Sequence, residues 1–96
     1  MGVINMYDQY CLDAYDPCPR IRIRLALSRL IPPSDKAWLY IFHMLMNYNP
    51  DDDMKTRFTK VAKICDASPN TVKVNVYNTL RAYNITFTDI VQEVKP

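Results

Sequence analysis

Ninety-six residues, nearly half of them apolar, with a single glycine and a net charge of +2, make one domain with enough apolar material for a core. The composition excludes a disordered chain and a turn-rich β architecture, and no apolar run is long enough to span a bilayer. The charge is uneven: residues 1–53 hold five basic and seven acidic groups, residues 54–96 seven basic and three acidic. A nucleic-acid partner would meet the second half, although an ordinary solvated helix surface also accounts for an imbalance of this size.

The expected fold class is all-α: a small helical bundle containing a helix-turn-helix over 1–96, with residues 1–19, aromatic and acidic, as an N-terminal arm or a short helix that packs on a neighbour. From Arg20 to Ile31 two periods compete. Arg20, Arg22 and Arg24 alternate with Ile21, Ile23 and Leu25 as in an amphipathic strand. Ile23, Ala26, Leu27, Leu30 and Ile31 make a helical stripe. Helix is the preferred reading. The strand over Arg20–Leu27 is the alternative, since a basic strand before two helices is the plan of a ribbon-helix-helix repressor, with Arg20, Arg22 and Arg24 as readers.

Pro32-Pro33 stops this segment, and Ser34 or Asp35 caps a helix from about Lys36 to Tyr48. Trp38, Ile41, Phe42 and Leu45 form its main stripe, but Leu39, Tyr40, Met44 and Met46 make almost the whole circumference apolar. Such a helix needs partners on more than one side, one of which can be a second copy of the chain. His43 stands among these residues with no visible second ligand or base, as a structural histidine does. Asp51-Asp52-Asp53 lacks the spaced oxygens and glycine of a calcium loop and is placed to favour the N-terminus of the following helix.

The stretch from Phe58 to Ile85 reads as a helix, a tight turn and a second helix. Val61, Ile64 and Cys65 share one side of the first helix, Ala62 allows close approach, and Lys60 and Lys63 stay outside. Asp66-Ala67 makes the turn, Ser68 is the N-cap and Pro69 the first helical residue, where its missing N–H costs nothing. Along the second helix Val72, Val76, Leu80 and Tyr83 point inward. The outward side offers Asn70 for adenine, Lys73 and Arg81 for phosphates, Val74 for a thymine methyl and the edge of Tyr77. The valine alternation after Thr71 also suits a strand, but the run through Tyr83 is too long for one. Phe87, Ile90, Val91 and Val94 then mark a short last helix capped by Thr86 or Thr88.

Val61-Ala62, Ser68-Pro69-Asn70-Thr71-Val72-Lys73, Val76, Leu80-Arg81 and Asn84-Ile85 resemble the helix-turn-helix of the LuxR/GerE/NarL class of bacterial regulators, over about residues 58–85. The resemblance implies that Lys73, Val74 and Tyr77 look toward bases. Asn75 stands where that class commonly has histidine, and Asp66 where it has a turn glycine. The expected DNA-binding set is thus Lys60, Lys63, Ser68, Asn70, Thr71, Lys73, Val74, Asn75, Tyr77 and Arg81.

The cysteines Cys11, Cys18 and Cys65 are odd in number and lack metal-ligand spacing, and the N-terminus carries no secretory apolar region. A cytoplasmic chain with reduced thiols follows, with a Cys11–Cys18 redox pair as the alternative. With its only glycine at position 2 and one histidine, the sequence implies no phosphate loop and no catalytic set, hence neither enzyme nor cofactor. The expected function is a small transcriptional regulator that binds double-stranded DNA as a homodimer, with no membrane partner and with a regulatory protein as a further possible partner. A helical protein-interaction module without DNA binding is the other reading.

Overall fold

The computed structural model describes residues 18–95, which form five helices and no strand. They are α1 (Pro19–Leu30), α2 (Trp38–Met46), α3 (Met54–Cys65), α4 (Pro69–Ala82) and α5 (Phe87–Val94). The all-α expectation holds. The arm expected over 1–19 lies outside the described residues up to position 17, as does Cys11, and Pro19 is already the first residue of α1.

Helix wins over strand in α1 because only the helical period reaches the core: Ile23, Ala26 and Leu27 are buried, whereas Ile21 and Leu25 are exposed. Pro32 then forces Ile31 into extended backbone, φ −137° and ψ 129°. The arginines that would have formed a ribbon are spent otherwise. The Arg22 guanidinium donates to the Val94 carbonyl at the C-terminal end of α5, and Arg24 lies 5.9 Å from the centre of the Phe42 ring. The ribbon-helix-helix alternative is therefore set aside.

α2 begins at Trp38 and ends at Met46, two residues inside the expected bounds at each end. Asp35 sits before it in a turn, where its carboxylate accepts the Ala37 N–H at 2.9 Å and the Thr79 hydroxyl at 2.7 Å. Neither Ser34 nor Asp35 is the expected N-cap: Ala37 holds that position without a side-chain capping bond, and Asp35 instead ties the turn to α4. Trp38, Ile41, Phe42, Met44 and Leu45 are buried, while Leu39 and Met46 remain exposed. Three sides of the helix are used, because α2 packs against α1, α3 and α4. His43 is half-buried, and burial, followed by the charge of Arg20, holds its imidazole below the usual range.

Of the three aspartates, Asp53 acts as expected on the next helix. Asp53 caps α3 by accepting the Thr56 N–H at 2.8 Å. That bond, then the Thr56 hydroxyl, hold its carboxyl below the ordinary range, with Lys55 and Arg57 adding to the effect. Asp52 pairs with Lys60. Phe58, Val61 and Ala62 face the core. Ile64, expected inward, is 48% exposed, because its position falls past the edge of the buried stripe. Cys65 is half-buried and its thiol is pushed up by burial.

Asp66 closes α3 in the left-handed region at φ 54° and ψ 49°, and the N–H groups of Asp66 and Ala67 both donate to the Ala62 carbonyl. Asp→Gly at position 66 is expected to raise stability by about 0.5–1 kcal/mol, since glycine adopts this backbone without a Cβ penalty. Urea unfolding with an unchanged slope measures it; a lowered midpoint would mean that the aspartate side chain contributes more than its backbone costs.

Ser68 and Pro69 start α4 as expected, the Ser68 hydroxyl oxygen accepting the Thr71 N–H at 3.1 Å. Val72, Val76, Thr79 and Leu80 are buried, and Val74 is exposed. The valine alternation therefore resolves into a helical pair four residues apart. Tyr83, expected inward, is exposed at the end of the helix, and Thr79 takes the inward place because Asp35 satisfies its hydroxyl. The helix ends with Asn84 at φ 52°, with bonds from the Ile85 N–H to the Leu80 carbonyl and from the Asn84 N–H to the Arg81 carbonyl. α5 opens with a reciprocal Thr86–Asp89 capping box and buries Phe87, Ile90, Val91 and Val94 against α1. Among the described residues no helix is long and apolar enough to cross a membrane.

Candidate nucleic-acid interface

Four buried side chains clamp one face of α4, and this decides which residues the helix shows to solvent. Asn70, Lys73, Val74 and Arg81 are exposed there, with Tyr77 beside them at 37% exposure. The Tyr77 ring meets Phe58 edge-on at 5.4 Å, so one side of it is anchored while the rest remains accessible. Asn78, not among the expected residues, lies on the same face and accepts a bond from Arg81 at 2.7 Å.

The other expected residues divide by what they already hold. The Ser68 hydroxyl donates to the Thr71 hydroxyl and accepts the Thr71 N–H, so both are engaged in the cap. Asn75 is half-buried and donates its amide to the Thr71 carbonyl at 2.8 Å. Lys60 is tied to Asp52, and Lys63 is exposed on α3. The structure thus brings Asn70, Lys73, Val74, Tyr77 and Arg81 together on one helix and leaves Lys63 on its neighbour.

Lys55 is a further basic residue that the sequence reading missed. It shares a shallow groove of about 390 Å3 between α3 and α4 with Phe58, Asn70, Lys73 and Tyr77. A local signal for it existed: a lysine in the first turn of a helix, where the dipole favours acids, is electrostatically misplaced unless an anion lies near. From Met54 to Thr88 the chain carries Lys55, Arg57, Lys60, Lys63, Lys73 and Arg81 against the single acid Asp66. The α3–α4 surface is therefore rich in cations, amides and one accessible ring. It can hold an anion and present donors, acceptors and a methyl tip to a flat polar edge. Comparisons with protein families, with curated proteins and with solved structures find no match.

Proposed function

We propose that this chain is a sequence-specific DNA-binding protein, a small transcriptional regulator that lays α4 in the major groove. The observation that supports it is the outward stripe of α4: Asn70, Lys73, Val74, Tyr77 and Arg81 on a helix of 14 residues that carries no acid. A helix of that length spans about 21 Å, and the major groove of B-DNA, about 12 Å wide, admits it. In this reading Asn70 reads adenine, Val74 touches a thymine methyl, and Lys73 and Arg81 meet phosphates, with Lys63 on α3 as a flanking contact. The resemblance of residues 58–85 to LuxR-type helix-turn-helix segments points the same way.

A homodimer on two half-sites fits this role. Ile21 and Leu25 on α1 and Leu39 and Met46 on α2 are exposed apolar side chains that a second copy can cover. The same side chains favour the other reading, a helical module that binds a regulatory protein.

The salt dependence of duplex binding tests the first reading. Lys73→Ala is expected to lower the log–log slope by about 0.9, the loss of one phosphate contact. Absence of binding to random duplex pools at low salt would overturn it in favour of the interaction module. Sequences selected from such a pool would report the dimer through their symmetry.

A further inference from the structure

The start of α3, the end of α4 and the start of α5 enclose an open groove of about 480 Å3, and its lining contains two guanidiniums and no carboxylate. Arg57 is held in an unusual state there. Its guanidinium carbon lies 5.1 Å from the centre of the Tyr48 ring and 5.3 Å from that of Phe87. Its Nη2 reaches the Asn49 carbonyl only at 3.4 Å, its Nη1 lies 3.3 Å from the Met54 sulfur, and its buried Nε has no acceptor. A guanidinium has five N–H donors in a rigid fork. Among the described residues no carboxylate forms an ion pair with it. The two rings lie beside the guanidinium, and the contacts its nitrogens make are long.

Arg81 lines the same groove, with one nitrogen on Asn78. The Thr86 and Thr88 residues line the wall where α5 begins. The first intrahelical donor of α5 is the Ile90 N–H, and Thr86 takes the Asp89 N–H. The N–H groups of Phe87 and Thr88 lie before that ladder. Asp89, next to Thr88 in the chain, turns its carboxylate to the Thr86 N–H, and Asp53, whose carboxylate feels the charge of Arg57, accepts the Thr56 N–H. Across the groove Tyr77 offers a partly exposed ring. The groove has the volume of a small-molecule site, and two arginines with an aromatic platform match a phosphate carried next to a planar base.

We propose that this groove binds the phosphate of a nucleotide, with Arg57 and Arg81 as its counter-charges and Tyr77 as the surface on which the base rests. The site shares Tyr77 and Arg81 with the outward stripe of α4 and adds Arg57 and the start of α5, so it stands whether or not that stripe enters DNA. A free mononucleotide and a DNA backbone carry the same phosphate chemistry.

Titration of the full chain with adenosine monophosphate, with adenosine as the control, followed by amide NMR, tests it. Saturable shifts at Phe87 and Thr88 are expected, with adenosine weaker by about tenfold or more, the scale of one charge-assisted contact. Arg57→Gln and the surface variant Arg81→Gln are each expected to weaken the monophosphate by about tenfold. If Arg57→Gln fails to fold, Arg81→Gln decides. Equal binding of the two compounds, no saturation, or unchanged binding by Arg81→Gln would overturn the proposal. Because Tyr77 and Arg81 are shared, displacement by a short duplex assigns the site to the DNA backbone only where Arg57→Gln also weakens the duplex; a duplex held equally well by Arg57→Gln leaves the site to a free nucleotide. Failure of the α4 reading appears separately, as loss of duplex binding with the monophosphate still held.

Discussion

Ile41→Ala is expected to cost about 4 kcal/mol of unfolding free energy, the transfer of three methyl or methylene groups plus the cavity they leave. Ile41 is fully buried on α2, the helix that packs against α1, α3 and α4 at once. A void there loosens both halves of the bundle, and neighbouring helices held from three sides can collapse into it only partly. For a domain of this size the loss is a large share of the total stability. Urea unfolding followed by circular dichroism should show the midpoint fall sharply, with all helices lost in one transition. A cost below about 1 kcal/mol would mean that α2 is not the shared core helix.

Asp35→Ala is expected to cost about 2–3 kcal/mol through a different route. The carboxylate accepts the buried Thr79 hydroxyl and the Ala37 N–H, joining the turn before α2 to the inward side of α4 across 44 positions. Removing it leaves the Thr79 hydroxyl buried without an acceptor, and that desolvation is the larger share of the cost. Thr79→Val removes the donor and keeps the shape, so it should cost only about 1 kcal/mol. The double variant should then lose less than the sum, with a coupling of about 1 kcal/mol in a cycle of unfolding measurements; strict additivity would show that the bond carries no stability. Asp35 also bears on the interface, because the bond fixes which side of α4 turns inward and hence which side faces out.

Much of the fold was legible in local signals. Ser68 with Pro69, Asp53 before α3, and Thr86 with Asp89 act within three or four residues, where sterics and one hydrogen bond decide the outcome. The stripe of α5 was equally plain, because burial repeats with the helical period, whereas α1 carried a competing strand period and α2 is apolar almost all round. Asp66 marked a left-handed turn residue although it is not glycine. The candidate interface was legible in part: Asn70, Lys73, Val74 and Arg81 are exposed as expected, and their outward position follows from the burial of Val72, Val76 and Leu80.

The errors lie where a distant partner intervenes. Tyr83 fits the inward stripe of α4 by period, but the helix has ended there and Thr79 fills the place with the help of Asp35. Lys60 reads as a free cation, yet Asp52 faces it across the loop. Asn75 reads as an outward amide, yet its side chain returns to the Thr71 carbonyl.

The sequence by itself determined where helices start and stop and which side of each is apolar, since those depend on torsions, caps and a repeat of a few residues. Only the tertiary structure decided how the cations are used. Arg22 goes to the end of α5, Lys60 to Asp52, and Arg57 between two rings beside Arg81. The physical reason is that a charge takes its role from the groups that surround it, and helix packing assembles those groups from segments far apart in the chain.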